Sequence, residues 1–275
     1  MTLRQGAEIL RRAGVDNPAG DAGLLLSEIC GVPRASLPFS ADAEYDSPEF
    51  ESAIMRRASR EPLQYILGKW WFRDSEFLVS PACLIPRPET EMLVELAVEA
   101  LPKGGRVLDL CTGSGCVGLS VLRERPDVTG VLLDISEAAL EIAVQNADQL
   151  DVFGRCRIIR GDVTEPAPAE LADQRFDVIL ANPPYITAEE MKSLEPELSY
   201  EPQIALTDGG DGMSVVRGIL ENYPALLKDD GILAMEIGCG EGSSAIAEGE
   251  RASLRCHVEK DLAGLDRVLV CERLE

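Results

Sequence analysis

The spacing of apolar residues divides the chain into two regions with different patterns. Up to about residue 70, apolar side chains recur at helical spacing, as at Leu3, Ala7 and Leu10, before a stop at Gly14. No run in this region of the sequence alternates between apolar and polar residues as a strand does. We therefore predict an all-helical N-terminal domain over residues 1–70.

Short apolar stretches fill residues 71–88 and predict a linker that contains short strands or a hairpin. From Glu89 onward, apolar runs alternate with segments of helical spacing. Runs typical of strands lie at 106–110, 129–134, 156–160, 176–181, 231–237, 254–259 and 267–272. Helical segments lie at 89–101, 115–124, 136–150, 211–227 and 241–249. This alternation predicts an α/β domain over residues 89–275, with a mostly parallel sheet and helices on both faces.

The charge of the chain narrows its possible partners. The sequence has 48 acidic and 26 basic residues, a formal net charge of −22. Broad binding to a phosphate backbone needs clustered Lys and Arg, so we expect no direct nucleic-acid partner. No apolar stretch approaches the length of a membrane span, and the N-terminus lacks the apolar core of a signal peptide. We therefore expect a cytoplasmic protein with no membrane partner.

The cysteines and the one histidine limit the possible chemistry. Eight cysteines occur without a C-x-x-C pair, most of them in apolar or Gly-rich segments typical of buried free thiols. This usage predicts free thiols in a reducing compartment and no metal site. Ser-His-Asp and Cys-His catalysis would both depend on His257 alone, and we set them aside.

The tetrapeptide Asn182-Pro183-Pro184-Tyr185 follows the predicted strand 176–181, at the strand end where open α/β sheets bind ligands. Pro184 has no N–H and restricts Pro183 to an extended conformation, so the Pro183 carbonyl is a fixed acceptor. Asn182 adds a side-chain carbonyl, and Tyr185 adds an aromatic face. Together they predict a site that holds a planar NH₂ group by both hydrogens, as in an amide or an exocyclic base amine. The alternative is an Asn-Pro turn that closes the strand.

A glycine-rich loop follows the predicted strand 106–110. Gly113, Gly115 and Gly118 satisfy the G-x-G-x-x-G spacing, which lets a ligand approach the start of a helix. Dinucleotide binding is one interpretation of that spacing. Asp109 argues against it, because a carboxylate just before the turn is unfavourable for a pyrophosphate but suits an ammonium or sulfonium group.

Two more acids end the next two predicted strands. Asp134 suits a pair of ribose hydroxyls, and Asp162 suits an adenine amino group. Each residue alone is also common as a helix cap or turn residue. Acids at three consecutive strand ends fit S-adenosylmethionine better than a nicotinamide dinucleotide, so we predict S-adenosylmethionine as the cofactor.

With the tetrapeptide, the segment 109–115 resembles class I S-adenosylmethionine-dependent methyltransferases that modify amide or amino nitrogens. Other motifs narrow the resemblance to the peptide chain release factor glutamine N5-methyltransferases. These motifs lie at 62–68, 85–91, 200–202, 205–206, 209–213 and 260–267. The resemblance covers nearly the whole chain, including the helical N-terminal domain that related nucleic-acid methyltransferases generally lack. It implies a Rossmann-like, seven-stranded methyltransferase domain.

The resemblance also implies a reaction, methylation of the glutamine in the Gly-Gly-Gln loop of bacterial class 1 release factors. Carried onto this sequence, it assigns cofactor binding to Asp109, Cys111, Thr112, Gly113, Ser114, Gly115, Asp134, Asp162, Val163 and Asn182. It assigns substrate binding to Asn182, Pro183, Pro184, Tyr185, Arg87 and Glu89. The candidate catalytic residues are Asn182, Pro183 and Tyr185.

Two residues depart from the family pattern, and several alternatives stay open. Cys111 stands where the family usually has Gly or Ala, and Val163 stands where an aromatic residue often packs on adenine. Arg87 and residues 89–91 either close over the site or open a helix. The N-terminal helices either dock the release factor or only cap the enzyme. The second candidate activity is that of an adenine-N6 or guanine-N2 methyltransferase acting on DNA or RNA. A different class is a non-catalytic module that binds a translation factor.

Overall fold

The computed structural model describes residues 1–274, which form two compact units. The first unit contains Met1–Lys69 together with Glu195–Tyr200. The second contains Trp70–Leu194 and the chain from Glu201 onward. No helix among the described residues has the length and apolar character needed to cross a bilayer.

The first unit is helical. Its helices are α1 (Leu3–Arg12), α2 (Pro18–Cys30), α3 (Pro48–Ala58) and α4 (Leu63–Leu67). The side chain of Ser47 accepts a hydrogen bond from the Phe50 amide and caps α3, and Thr2 and Gln5 form a capping box on α1. Arg57, only 7% exposed, pairs with Asp21 at 2.8 Å and with Glu197 at 2.9 Å. These contacts order the unit around the buried apolar faces of its helices.

A hairpin of β1 (Lys69–Phe72) and β2 (Ser75–Leu78) follows α4, and its residues from Trp70 onward belong to the second unit. The side-chain amide of Asn146 holds this hairpin by both of its polar atoms. Asn146 Oδ1 accepts from the Leu78 amide at 2.7 Å, and Asn146 Nδ2 donates to the Leu78 carbonyl at 3.1 Å. Because both groups of a buried amide find partners, the hairpin is fixed to the helix that carries Asn146.

A seven-stranded sheet forms the centre of the second unit. Its strands are β3 (Arg106–Leu110), β4 (Thr129–Asp134), β5 (Cys156–Arg160), β6 (Phe176–Ala181), β7 (Leu227–Glu236), β8 (Leu254–Lys260) and β9 (Asp266–Arg273). The spatial order is β5-β4-β3-β6-β7-β9-β8, and the pairs are parallel except those of β9, which is antiparallel to β7 and β8. This arrangement confirms the predicted Rossmann-like, seven-stranded methyltransferase sheet.

Helices cover both faces of this sheet. They are α5 (Glu91–Ala100), α6 (Cys116–Glu124), α7 (Glu137–Gln149), α8 (Ser214–Asn222) and α9 (Gly242–Arg251). Successive residues of β3 face opposite cores, since Val107 packs with α5, α6 and α7 while Leu108 packs with α8 and α9. Helix α8 is shorter than the predicted 211–227, because a turn precedes Ser214 and Pro224 starts a separate 3₁₀ turn.

One pair of cysteines differs from the expectation of free thiols. Cys256 and Cys271 face each other in the register of β8 and β9 and form a disulfide. Cys30, Cys111 and Cys116 are among the cysteines outside this disulfide. The expectation is wrong for the bonded pair, because only the antiparallel pairing of two strands places these residues side by side.

Strand order determines where a ligand can bind. Strand β3 lies between β4 and β6, so the chain connections leave its two sides in opposite directions. In such sheets a crevice opens at the carboxyl ends of the strands where the order reverses. The loops that follow β3, β4, β5 and β6 meet in this part of the second unit.

Candidate active site

The loop after β3 has a backbone that few residue types adopt. Cys111, Gly113 and Gly115 have φ values of +54°, +55° and +83°. A side chain on Gly113 would meet no atom within 4 Å, so this glycine leaves open space beside the loop. Cys111 is not a glycine, and its thiol packs against the core while burial raises its pKa well above the ordinary value. The raised pKa favours the protonated thiol over the thiolate, which is the nucleophilic form.

Asp109 lies at the end of β3 and is 1% exposed. Its Oδ2 accepts hydrogen bonds from the Thr112 hydroxyl and from the Gly118 amide, the latter at 3.0 Å. Within residues 1–274 both bonds reach the same oxygen, which leaves Oδ1 for a ligand. Burial raises the pKa of Asp109 to about 7, although the Thr112 and Gly118 hydrogen bonds oppose the rise. A bound cation would relieve this penalty.

Asp134 joins the loop after β3 to the loop after β4. Its Oδ2 accepts from the Gly113 amide at 2.8 Å, and its Oδ1 accepts from the Ser136 amide at 2.9 Å. Burial raises the pKa of this carboxyl, and the backbone N–H groups partly compensate. A carboxylate has about four acceptor positions, so two remain for hydroxyls of a ligand. Asp162, after β5, uses Oδ1 to hold the Thr164 amide and hydroxyl at 2.9 and 2.6 Å.

These loops line one cavity of about 330 Å³, within the usual range of a small-molecule site. Predicted site residues that line it are Arg87, Asp109, Cys111, Thr112, Gly113, Ser114, Asp134, Asp162, Val163, Asn182 and Pro184. Among the described residues, four predicted site residues are outside this lining: Glu89, Gly115, Pro183 and Tyr185. Gly115 instead supports the loop at the start of α6, where a Cβ would come within 2.7 Å of Leu119.

The polar and apolar groups that line the cavity match those of the predicted cofactor, S-adenosylmethionine. Asp109 offers a buried carboxylate oxygen to an ammonium, and Asp134 offers free acceptor positions to a diol. Val163 is 7% exposed and supplies an apolar wall. The left-handed glycine loop lets a ligand lie directly against the backbone.

The tetrapeptide lies immediately after β6, beside this cavity. Asn182 Nδ2 donates to the Thr90 hydroxyl at 3.2 Å. Within the part of the chain that the structure describes, neither Asn182 Oδ1 nor the Pro183 carbonyl accepts a hydrogen bond from another residue. Pro184 lines the cavity. Two oxygen acceptors without protein donors therefore stand next to each other along the chain.

Two buried polar residues lie behind the tetrapeptide, and one of them, Glu236, was not predicted from the sequence. Glu236, at the end of β7, and Thr90, before α5, are each 1% exposed. Thr90 donates its hydroxyl to Glu236 Oε2 at 2.6 Å, and Tyr185 donates its hydroxyl to Glu236 Oε1 at 3.1 Å. Burial raises the pKa of Glu236, and burial together with the Glu236 charge raises the pKa of Tyr185. Thr90 belongs to the recognised motif 85–91, but only the fold reveals its partners.

Arg87 and Glu89 occupy different environments. Arg87 lines the cavity and pairs with Glu201, which is 7% exposed and also accepts from the Ile85 amide at 3.1 Å. Glu89 is exposed and belongs to the short 3₁₀ turn Pro88–Thr90 that precedes α5. The structure thus places Arg87 beside the candidate site and Glu89 in the segment that opens a helix.

The loop 208–213 packs against the tetrapeptide backbone. Asp208 Oδ1 accepts from the Gly210 and Gly212 amides at 2.8 and 3.1 Å, and Asp208 Oδ2 accepts from the Ser214 amide at 3.0 Å. Gly212 has φ +77°, and a Cβ on it would lie 2.3 Å from the Tyr185 carbonyl oxygen. The loop therefore requires glycine at this position to hold Tyr185 in place.

Comparisons with known proteins agree with this geometry. Residues 88–231 match the family described as "Methyltransferase small domain", and residues 2–68 match "PrmC N-terminal domain". The release factor glutamine methyltransferase of Cereibacter sphaeroides is 40% identical, over 99% of this chain and 97% of the relative. The Geobacter sulfurreducens protein of the same name is 36% identical, over 94% of this chain and 91% of the relative.

A solved structure supports the fold independently. A methyltransferase from Pyrococcus furiosus matches 71% of this chain and 87% of its own, with a TM-score of 0.53 and 16% identity. At that identity the likeness concerns the fold alone. The relatives establish more, because their similarity extends over both units of the chain. The chain belongs to the release factor glutamine methyltransferase family of S-adenosylmethionine-dependent enzymes.

Proposed function

We propose that this enzyme methylates the side-chain amide nitrogen of the glutamine in the Gly-Gly-Gln loop of bacterial class 1 peptide chain release factors. One observation carries the proposal: Asn182 Oδ1 and the Pro183 carbonyl are adjacent acceptors that no donor within residues 1–274 occupies. They match the two hydrogens of a carboxamide NH₂. The names of the relatives supply the class of substrate, and the acceptors supply a way to hold its reacting group.

The reaction requires a weak nucleophile to be held in place. An amide nitrogen is poorly reactive, because its lone pair is delocalised into the carbonyl. Acceptors on both N–H bonds orient the nitrogen and stabilise the positive charge that grows on the NH₂ group as the new N–C bond forms. Asn182 and Pro183 provide these acceptors, and Tyr185 packs on the glutamine side chain. The nitrogen forms the N–C bond as the S–C bond of the sulfonium breaks and leaves its electron pair on sulfur, and one N–H proton passes to water.

The cofactor-binding residues have separate roles in this proposal. S-adenosylmethionine supplies a methyl group on a sulfonium centre. Asp109 Oδ1 pairs with the ammonium of its methionine part, Asp134 binds the ribose hydroxyls, and Asp162 accepts from the adenine amino group. Val163 contacts the adenine ring as an apolar wall, and the loop Cys111 to Gly115 lines the cofactor. The first, helical unit docks the release factor, and the whole protein acts in the cytoplasm.

The proposal predicts a gain of one methyl group on the release-factor glutamine. The enzyme is incubated with a class 1 release factor and S-adenosylmethionine, and peptides covering the Gly-Gly-Gln loop are analysed by mass spectrometry. A release factor with that glutamine changed to alanine serves as the control and should stay unmodified. Parallel reactions with labelled cofactor contain DNA or RNA. Label in nucleic acid and none in the release factor would contradict the proposal.

Replacing Gly212 with alanine should lower methylation by about tenfold, because strain of a few kcal/mol falls on the Tyr185 backbone. Gly209→Ala is a matched control. Gly209 has the same kind of backbone, with φ +75°, but its Cβ would meet no atom within 4 Å. Both variants should therefore lose some thermal stability, whereas only Gly212→Ala should lose turnover. Equal turnover in the two variants would show that the contact with Tyr185 is unimportant.

A further inference from the structure

A chain of hydrogen bonds behind the tetrapeptide connects Asn182 to a buried carboxylate. We propose that Thr90 and Glu236 are positioning residues that fix the carboxamide of Asn182 with its oxygen directed to the substrate. This inference rests on the proposed function, since it concerns the acceptor that binds the substrate amide. It assigns a role to Glu236, which the sequence did not single out, and a specific role to Thr90, which the sequence placed only in the segment 89–91.

The order of donors and acceptors in this chain follows from chemistry. An ionised carboxylate only accepts hydrogen bonds. Thr90 therefore donates its single hydroxyl hydrogen to Glu236 Oε2, at 2.6 Å. The Thr90 oxygen is then left as an acceptor, and the partner it accepts from is Asn182 Nδ2 at 3.2 Å. Since the NH₂ end of Asn182 is bound, its Oδ1 is the end that remains for the substrate.

The same carboxylate also fixes the last residue of the tetrapeptide. Glu236 Oε1 accepts from the Tyr185 hydroxyl at 3.1 Å. One glutamate thus holds both ends of Asn182-Pro183-Pro184-Tyr185, directly at Tyr185 and through Thr90 at Asn182. Because both oxygens belong to one rigid carboxylate, the same group fixes the positions of the two ends of the tetrapeptide.

Packing alone does not explain why Thr90 and Glu236 are buried polar residues. Thr90 and Glu236 are each 1% exposed, and a buried carboxylate costs stability compared with an apolar side chain of similar size. Thr90 precedes α5, where a threonine hydroxyl commonly caps the helix, yet its side chain makes no capping hydrogen bond. Both side chains therefore form hydrogen bonds that lead to the tetrapeptide, and neither caps the helix.

The charged residues around Glu236 have opposite effects on its ionised form. Arg267 exerts an attractive charge on it and Glu89 a repulsive one. The Thr90 and Tyr185 hydroxyls supply the hydrogen bonds that a buried carboxylate needs. Removing the Thr90 hydroxyl would leave Glu236 one donor short and would leave Asn182 Nδ2 without its acceptor.

The test uses Thr90→Val, which keeps the shape of the side chain and removes the hydroxyl, with Thr90→Ser as the matched control. In Thr90→Val the amide of Asn182 loses its orientation. We expect kcat for release-factor methylation to fall by about tenfold, the cost of one buried hydrogen bond. KM and the Kd for S-adenosylmethionine should change by less than about threefold. Thr90→Ser should recover most of the turnover.

A double-mutant cycle separates positioning through Asn182 from a general structural effect. If Thr90 acts through Asn182, Thr90→Val should cost almost nothing further in an Asn182→Ala background, measured in single-turnover reactions with labelled cofactor. Additive losses would overturn the inference. Calorimetry with S-adenosylmethionine and thermal unfolding report whether each variant is folded.

Glu236→Gln provides a second variant of unchanged shape. A glutamine can donate to Thr90 as well as accept from it, so the order of the hydrogen bonds is no longer fixed. We expect a loss of turnover of about tenfold, with cofactor binding retained. Wild-type turnover in Glu236→Gln, or in Thr90→Val, would refute the inference. Failure of the proposed function is distinct, since the wild-type enzyme itself would then leave the release factor unmodified.

Discussion

Asn182→Ala is expected to lower kcat for release-factor methylation by about a thousandfold, the upper end of the loss when one preorganised polar group is removed. The side-chain oxygen of Asn182 is one of the two acceptors that hold the substrate NH₂, and alanine offers none. The substitution also removes Nδ2, which donates to the Thr90 hydroxyl at 3.2 Å, so alanine keeps no side-chain polar atom that could take over the role. The Kd for S-adenosylmethionine should rise by less than about threefold, since the other acidic and loop residues still bind the cofactor.

The measurement combines single-turnover kinetics with calorimetric titration of the cofactor. Asn222→Ala is a suitable control, because Asn222 belongs to the same unit and its Nδ2 donates, within residues 1–274, to the carbonyls of Gly218 and Thr164. Asn222 is outside the described lining of the cavity, although its partner Thr164 lines it, so the variant should keep its turnover within about twofold. If Asn182→Ala weakens cofactor binding as much as turnover, Asn182 is a cofactor ligand rather than the holder of the amide.

The architecture could be predicted because the sheet obeys simple periodicity. Strands buried on both faces appear as continuous apolar runs, and β3 and β6 were recognised from such runs at 106–110 and 176–181. The acids and glycines at the strand ends follow these runs directly in sequence. Local pattern therefore identifies both the elements and the residues placed at their ends.

The hydrogen-bond chain behind the tetrapeptide could not be predicted in the same way. Thr90 and Glu236 are 146 residues apart, and Tyr185 is 51 residues from Glu236. At the end of a strand, a glutamate is usually a solvated residue. Its partners exist only because β6 and β7 are neighbours and the segment before α5 passes over their ends.

Two other features required the three-dimensional arrangement. The partner of Arg87 is Glu201, 114 residues away, so the choice between closing the site and opening a helix could not be made from local sequence. The disulfide of Cys256 and Cys271 depends on the register of β8 and β9. In both cases the interacting residues are brought together by pairing of distant segments.

Asp109→Asn is expected to raise the Kd for S-adenosylmethionine by about a hundredfold at neutral pH, the cost of breaking a buried ion pair. The substitution keeps the shape of the side chain and can still accept from Thr112 and Gly118, so the loop should keep its conformation. The negative charge that faces the cofactor ammonium is lost, and an NH₂ group takes the place of the free acceptor Oδ1. Asp127→Asn is the matched control, because Asp127 is exposed and pairs with Arg125.

The pH dependence of cofactor binding tests directly whether the Asp109 carboxylate pairs with the cofactor ammonium. Burial raises the pKa of Asp109 to about 7, and the ammonium binds the ionised carboxylate. As pH falls below about 7, protonation competes with binding, and the Kd should rise by up to about tenfold per pH unit. Titrations between about pH 5.5 and 7.5 stay below the range of roughly 7.7–8.0 in which a free α-amino group loses its proton. Asp109→Asn should show a flat profile over this window, whereas Asp127→Asn should follow the wild type.

Stability without cofactor should change in the opposite direction. An acid whose pKa is raised by folding holds more protons in the folded state, so its contribution to stability decreases as pH rises from about 4 to about 7. Asp109→Asn removes the titrating carboxyl group and therefore the decrease in stability that it causes as pH rises. The variant should therefore unfold at a higher temperature than the wild type at about pH 8, even though it binds cofactor more weakly, and the difference should shrink below about pH 5. A variant that is less stable than the wild type at the higher pH would mean that the Asp109 carboxylate serves the fold rather than the cofactor.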